Sequence, residues 1–200
     1  GVAPKFIITK TRSTVNAWNC YHASLGAGAK IFLSGTNAST ASSTVWNNTS
    51  PTSTVFSVGD ANTNGSGTTM VAYCFAEVAG YSKFGSYTGN GSTTGPVVTT
   101  GFRPGFVLIK KTNGAANWTI LDNTRDPNPD PAKNVLYANL TNADTTAASG
   151  LYTNFTDTGF QPVGAGTDTN TNGGTYIYMA FADTADARFN FDASGNQNNW

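Results

Sequence analysis

The sequence predicts an all-β fold built from two related β-sandwich domains in tandem, of the jelly-roll or lectin-like kind. Two observations indicate this fold. A pattern of apolar strands and polar turns occurs twice, about a hundred residues apart, which is longer than the roughly 20–50 residues of a solenoid repeat. Short segments rich in β-branched and aromatic residues alternate with clusters of Gly, Asn, Thr and Pro, and the apolar spacing of a helix is nearly absent.

The repeat is clearest in two pairs of segments. Residues 4–10, PKFIITK, return as residues 104–110, PGFVLIK, and residues 71–77, VAYCFAE, return as residues 177–183, IYMAFAD. Trp18 likewise returns as Trp118. Strand pattern and turn chemistry recur, whereas acids, bases and metal ligands do not. The repeat therefore indicates a duplicated scaffold.

Strands are predicted in order along both halves. In the first half they cover residues 6–11, 15–23, 31–34, 54–58, 68–77 and 83–87, and in the second half residues 102–111, 118–122, 135–138, 159–163, 175–182 and 188–191. Because both faces of 68–77 and of 175–182 are apolar, each is expected to be a central strand covered on both sides.

A turn-rich joint at residues 89–96 separates the two halves. It is too short for a long flexible tether, so we expect a first module at residues 1–92 packed beside a second module at residues 93–200. The start at Gly1 and the Asn- and Gly-rich end suggest a processed product or a piece of a longer chain.

The composition excludes several classes of partner. Eleven Lys and Arg balance eleven Asp and Glu, and charged residues make up 11% of the chain, well below the usual quarter. The chain has no basic stripe for nucleic acid, no polybasic anchor and no apolar run long enough to span a bilayer. Hydroxyl and amide side chains must supply the polar surface.

Few residues are candidates for catalysis. The single histidine, His22, has no nucleophile-elbow sequence to serve, so an enzymatic triad has little support and the chain is predicted not to be an enzyme. Cys20 and Cys74 are replaced by apolar Ile120 and Ala180 in the other half. That replacement favours buried free thiols over a disulfide.

The strongest acidic cluster lies at residues 122–131. Asp122, Asp126 and Asp130 could supply oxygen ligands to calcium. The alternative is a stiff surface loop in which Arg125 pairs with a neighbouring carboxylate. The Gly hinge and terminal Glu of the twelve-residue calcium loop are missing, so the structural interpretation is preferred and no metal is assigned.

Aromatic side chains are the remaining candidates for a binding site. The paired Trp18 and Trp118 suit a structural core better than a ligand platform. Trp46 lies in a Thr-, Ser- and Asn-rich segment, where it could close a core or stack on a sugar. If the chain binds a host surface glycan, the expected ligand-binding residues are Trp46, Tyr87 and Tyr152.

Two segments carry a resemblance to a known family: residues 71–91, VAYCFAEVAGYSKFGSYTGNG, and residues 101–110, GFRPGFVLIK. With Trp118, Asp122 and Arg125 in the second half, they resemble a tandem β-rich module family found in virion proteins of tailed bacteriophages, especially marine phages. The resemblance covers nearly all of the chain and implies a tail fibre, spike, other appendage or capsid decoration.

The resemblance implies a non-enzymatic structural protein located in the virion, with itself and other virion proteins as partners. Few ions need to be desolvated when weakly charged subunits dock, so the composition agrees with assembly into a homo-oligomer. The alternative is a receptor- or carbohydrate-binding module of a phage adhesin. A depolymerase is a third and weaker possibility, because it would need two carboxylates facing each other across a cleft.

Overall fold

A computed structural model describes residues 1–126, 131–146 and 150–183. Strands account for 42% of the described residues and helix for 2%, so the predicted all-β class is confirmed. The strands are β1 (Pro4–Thr11), β2 (Asn19–His22), β3 (Ala29–Phe32), β4 (Thr40–Ala41), β5 (Met70–Ala76), β6 (Ser82–Thr88), β7 (Val98–Thr99), β8 (Pro104–Lys111), β9 (Trp118–Asp122), β10 (Asn134–Tyr137), β11 (Thr145–Thr146), β12 (Tyr152–Thr156), β13 (Gly159–Val163) and β14 (Thr175–Ala182).

These strands form three antiparallel sheets. The five-stranded sheet has the order β4-β3-β2-β1-β5, the six-stranded sheet has the order β11-β10-β9-β8-β14-β6, and the three-stranded sheet has the order β12-β13-β7. The one short helix among the described residues, α1 (Ala61–Asn64), was not predicted. It begins where the Asp60 carboxylate accepts a hydrogen bond from the Asn62 amide at 2.9 Å, which satisfies a free donor of the first turn.

The five-stranded sheet and the first five strands of the six-stranded sheet share one order and one register. Phe6 lies opposite His22 and Phe75, while Phe106 lies opposite Asp122 and Phe181. The outer pairs agree as well, because β3 pairs with β4 as β10 pairs with β11. The register also shifts at the same place in both sheets, between the third residue of β1 or β8 and its first residue, a proline.

Equivalent faces of these two sheets pack against each other. The core between them joins side chains of the five-stranded sheet with side chains of the six-stranded sheet: Phe6, Cys20, Ile31, Phe84, Leu108, Trp118, Ile177 and Met179. Since both halves contribute to one core, burial of apolar surface stabilises them together.

The outer face of each sheet has its own cover. The six-stranded sheet packs its other face on the three-stranded sheet, through residues such as Val107, Ile109 and Phe160. The five-stranded sheet instead packs Ile7 and Tyr21 against the segment 42–65. The molecule is therefore a stack of three sheets with an irregular layer on one outer side.

The central position predicted for both apolar strands is confirmed for β14, whereas β5 has one neighbour within the described ranges. Strand β14 lies between β8 and β6, and Ala180 is fully buried. Among the described residues β5 pairs with β1 alone and lies at the end of the strand order. Its Tyr73 is 47% exposed and Cys74 is exposed. Apolar residues on both faces do not specify how many neighbours a strand has.

Three other predicted strands need comment. Residues 54–58 are irregular, because the Thr52 amide donates to the Val55 carbonyl at 2.8 Å and closes a local turn instead of a ladder. Residues 15–23 give only the short β2, and Val15 is fully exposed. Residues 188–191 lie outside the described part of the chain.

Strand β6 lies on the first-module side of the proposed boundary, yet it pairs with β14 over seven residues. The two halves are thus connected by a strand that crosses from one sheet to the other. The division into residues 1–92 and 93–200 stays a prediction.

Candidate functional site

A cavity of about 370 Å³ lies where the five-stranded and six-stranded sheets meet. Its lining comes from Trp18 and the turn after β3 on one side, and from the turn after β10 on the other: Trp18, Leu33, Ser34, Ala138, Asn139, Leu140 and Thr141. The lining offers an aromatic ring, aliphatic side chains, hydroxyls and one amide. We refer to this cavity as the Trp18 cavity.

The same backbone contacts build both walls of the Trp18 cavity. The Leu33 amide donates to the Trp18 carbonyl at 2.9 Å, and the Ala138 amide donates to the Trp118 carbonyl at 3.0 Å. A side chain then fixes each tryptophan from the turn. The Trp18 amide donates to Ser34 Oγ at 3.3 Å, and the Trp118 amide donates to Asn139 Oδ1 at 2.8 Å.

The two equivalent tryptophans have different environments. Trp118 is 2% exposed, and its indole N–H donates to the Phe32 carbonyl of the other sheet at 2.8 Å. For Trp118 the structural interpretation is confirmed. Trp18 is only partly buried and its ring lines the cavity. An aromatic face beside hydroxyl and amide groups is therefore available at Trp18, a residue that was predicted to lie in a core.

A buried polar network holds the Asn139 wall in place. Asn139 Nδ2 donates to Asn117 Oδ1 at 2.9 Å, and the Asn117 amide donates to Asp168 Oδ1 at 2.8 Å. Asp168 is 8% exposed. Because a buried carboxylate that accepts such bonds fixes its donors, the network orients the Asn139 amide beside the cavity. The sequence reasoning missed Asn117 and Asp168, since they lie 51 residues apart.

The three aromatic residues predicted to bind a ligand are not brought together. Trp46 is 1% exposed and packs edge-on against Tyr21, with 5.9 Å between ring centroids. Its predicted exposure is corrected: the outer face of the five-stranded sheet needs cover, and the segment 42–65 folds back over it. Trp46 thus closes a core, which was one of its two predicted roles.

Tyr87 and Tyr152 lie in other layers of the stack. Tyr87 on β6 stacks on Tyr176 with 5.0 Å between ring centroids, and its hydroxyl donates to the Thr169 carbonyl at 2.7 Å. Burial raises the pKa of Tyr87 well above its ordinary value. Tyr152 on β12 is partly buried, with the Lys133 ammonium 5.7 Å from its ring centroid. The three rings line no common groove.

In the acidic cluster Arg125 pairs with a neighbouring carboxylate, as the structural interpretation predicted. Asp122 Oδ2 accepts from Arg125 Nε at 2.5 Å, and Asp122 Oδ1 accepts from the Arg125 amide at 2.8 Å. Asp126 Oδ2 accepts from the Lys133 amide at 2.6 Å. Asp130 lies outside the described residues. Within the described ranges no three His, Cys, Asp or Glu side chains gather as a metal site.

His22 is built into the core between the halves. Its ring is 1% exposed, Nε2 lies 3.1 Å from the Tyr178 carbonyl oxygen, and Nδ1 accepts from the Ser24 amide at 3.1 Å. These partners assign the neutral tautomer with the proton on Nε2. Burial lowers the pKa of His22 to about 4. The ring therefore acts as a neutral hydrogen-bonding group between two sheets.

Both cysteines are free, as predicted, but only Cys20 is buried. Burial raises the pKa of both thiols, which disfavours the reactive thiolate. In the part of the chain that the structure describes, no helix has the length and apolar character needed to cross a membrane.

Comparison with known proteins gives a single match. No curated protein and no solved structure matches the chain. One family model, described as a domain of unknown function, matches residues 1–185. That range includes both sheets that share one strand order, every strand of the three-stranded sheet and all residues that line the Trp18 cavity. The chain belongs to this family, the Domain of unknown function (DUF7483).

Proposed function

We propose that the protein is a non-enzymatic structural component of a phage virion, such as a tail fibre, spike, other appendage or capsid decoration, and that it acts by subunit assembly. The observation that carries this proposal is that the side chains with acid–base chemistry form hydrogen bonds that hold the scaffold together. His22, Asp122 and Asp168 all have hydrogen-bond partners within the scaffold. The resemblance of residues 71–91 to virion modules points the same way.

The surface suits assembly. With 11% charged residues and no net charge, copies can dock without desolvating many ions. Exposed valines add apolar area at several loops, including Val2, Val55 and Val97, each at least 63% exposed. The partners under this proposal are further copies of the chain and other virion proteins.

The proposal includes an internal duplication that produced two modules. It is supported by the identical strand order and register of the five-stranded sheet and of β8 to β11 with β14. In this view each module is a sheet with its own outer cover, and the inner faces of the two modules share one core. Under this proposal the two modules form one stack of sheets, and not two closed sandwiches in tandem.

Electron cryo-microscopy of the purified full chain, together with light scattering over a concentration series, tests assembly. We expect a symmetric oligomer or a regular array in which both sheets contribute to subunit contacts. Immunogold labelling of phage particles whose genome encodes the chain should mark a defined part of the particle. A monodisperse monomer at every concentration, with unlabelled particles, would contradict the proposal.

A second candidate function, binding of a host surface glycan, is favoured by the Trp18 cavity. Sugars bind where an aromatic face lies beside amide and hydroxyl groups, and Trp18, Ser34 and Asn139 offer that combination. Glycan-array screening of the full chain tests it. We expect Trp18→Ala to abolish the signal and Tyr152→Ala to leave it unchanged. A signal that depends on Tyr152 and not on Trp18 would place the site elsewhere.

A further inference from the structure

A second cavity, of about 290 Å³, lies on the outer face of the five-stranded sheet, between strands β1 and β5 and the segment that covers this face. Its lining combines apolar side chains with hydroxyl groups and includes Thr9, Phe56, Val58, Thr63 and Met70. Among the described residues the lining carries no charged side chain. Ala72 also lines the cavity and is exposed, so the cavity opens to solvent beside it. We refer to it as the Thr9 cavity.

The equivalent space in the second half is occupied by a tyrosine. In the five-stranded sheet Thr9 lies opposite Ala72, and at the same place in the six-stranded sheet Ile109 lies opposite Tyr178. Tyr178 is 4% exposed and belongs to the core beneath the three-stranded sheet. The first half therefore has a methyl group where the second half has a phenol ring.

The next position on the same face shows a similar replacement. Met70 lies opposite Thr11 as Tyr176 lies opposite Lys111. Tyr176 is fully buried, and its hydroxyl donates to the Thr167 carbonyl at 2.9 Å. Two tyrosines on the outer face of one sheet thus correspond to two smaller side chains on the other. Since a smaller side chain leaves unfilled volume, these replacements explain why the cavity lies at this place.

The wall that faces β5 has an aromatic ring in both halves. Phe160 meets Tyr178 edge-on, with ring centroids 5.2 Å apart. Phe56, the sequence counterpart of Phe160, lines the Thr9 cavity. A ring bound beside Ala72 would therefore lie next to Phe56, and aromatic pairs stabilise each other beyond the area that they bury.

One polar group of the lining has no partner within the described part of the chain. The Thr9 side chain is 2% exposed, and its Oγ1 makes no hydrogen bond there. The Thr63 hydroxyl, in contrast, donates to the Val45 carbonyl at 2.8 Å. Because a buried hydroxyl without a partner is costly, a ligand hydroxyl that bonds to Thr9 would be favoured over an apolar group of the same shape.

We propose that the Thr9 cavity binds a small uncharged phenol, with its ring beside Phe56 and Ala72 and its hydroxyl bonded to Thr9. A free ring is not attached to β5, so it can turn its hydroxyl toward Thr9. The uncharged lining disfavours an ionised ligand. The volume lies near the lower end of the roughly 300–1,000 Å³ of small-molecule pockets, which suits a single ring. This site is separate from the Trp18 cavity and goes beyond the assembly role.

Titration of the full chain with p-cresol, the tyrosine side chain as a free molecule, tests the proposal through backbone amide resonances. We expect saturable shifts in β5 and in the segment 42–65. Ala72→Tyr supplies the ring covalently, so it should weaken p-cresol binding at least about tenfold by filling the pocket. Val55→Tyr is the matched control, because Val55 is 63% exposed in the same segment and does not line the cavity. It should bind p-cresol as the wild type does.

A second variant keeps the shape of the cavity and tests the hydrogen bond. Thr9→Val removes the hydroxyl, and p-xylene carries a methyl group where p-cresol carries its hydroxyl. The ratio of p-cresol affinity to p-xylene affinity should fall about two- to tenfold in Thr9→Val, as expected for one neutral hydrogen bond. An unchanged ratio would overturn the assignment of a phenol.

Three further outcomes would overturn the proposal. Shifts that do not saturate up to the solubility limit would mean that no ligand site exists. Equal p-cresol affinities in the wild type and Ala72→Tyr would place the bound molecule elsewhere. Light scattering during the titration should show a constant mass. A fall in mass would mean that p-cresol displaces a side chain of another copy, and the cavity would then be an assembly contact.

Discussion

The two halves of this molecule contain sheets of the same strand order, and the outer faces of these sheets are covered differently. In the second half the outer face packs on a three-stranded sheet through Phe155 and Phe160, both almost fully buried. In the first half the equivalent face is covered by an irregular segment through Val45 and Trp46. Equal strand order and register therefore do not require equal covers. What the two covers share is the removal of apolar surface from water.

The largest difference in the loss of unfolding free energy on substitution by Ala is expected between the two equivalent tryptophans. Trp118→Ala should lower the free energy of unfolding by about 3–5 kcal/mol, because it opens a cavity in the core between the halves. It also leaves the Phe32 carbonyl without the indole N–H. Trp18→Ala should cost about 1 kcal/mol, since the ring is only partly buried. Urea denaturation measures both, and equal costs would mean that Trp18 is as buried as Trp118.

The stability cost of truncating a phenylalanine should differ by a smaller amount between the two outer covers. Phe160 is fully buried between sheets, whereas its sequence counterpart Phe56 is partly buried in the irregular layer. Phe160→Ala should cost about 3 kcal/mol or more and Phe56→Ala about 1–2 kcal/mol, because an irregular segment can relax into a cavity more readily than two packed sheets. The same denaturation experiment checks this order, which a larger loss for Phe56→Ala would reverse.

His22 occupies the register position in the five-stranded sheet that Asp122 occupies in the six-stranded sheet, opposite Phe6 and Phe106 respectively. Folding lowers the pKa of His22 from 6.5 to about 4. The unfolded chain therefore binds the proton first. Stability from neutral His22 is complete above pH 6.5 and is lost as the pH falls toward 4, by up to about 3 kcal/mol.

Thermal unfolding between pH 7 and pH 4 tests that linkage. The difference in stability between the wild type and His22→Gln should shrink as the pH falls, because the carboxylates titrate equally in both proteins. A difference that stays constant over this range would mean that His22 is not held neutral by the fold.

The smallest effect concerns Lys10 and Lys110, another equivalent pair. Each ammonium donates to the carbonyl of the next residue, at 2.7 and 2.8 Å. Lys110 is fully buried and also donates to the Thr36 carbonyl of the first half at 3.2 Å. Burial lowers the pKa of Lys110 to about 8. An NMR titration of lysine side chains, assigned with Lys110→Arg, should show one resonance that titrates near pH 8; its absence would contradict the burial.

The sequence is informative where local pattern decides the structure. Strand β14 and its partner β8 are predicted almost to the residue, since apolar runs of that length with β-branched residues fit buried strands. The pattern of β5 is as apolar, yet in the part of the chain that the structure describes β5 has β1 as its one neighbour. Neighbours in a sheet are set by tertiary contacts, and local sequence does not contain them.

The candidate site was harder to predict for the same reason. Trp18 and Trp118 occupy equivalent positions of the repeat, and the carbonyl of each accepts from an equivalent amide, so sequence reasoning placed both in a core. Only the junction between the sheets makes one ring a cavity wall and the other a core residue. For Trp46 both a core role and a contact role were predicted as alternatives, because its segment looks like an exposed loop, and in the structure its ring packs against Tyr21.

Strand β6 has a mechanical consequence. Because it follows β5 in the chain but bonds to β14 over seven residues, the halves cannot be separated without breaking a ladder inside the six-stranded sheet. The connection between the halves therefore includes a hydrogen-bonded strand pair, β6 with β14. Under tension between the halves, load would pass through the backbone hydrogen bonds that join β6 to β14.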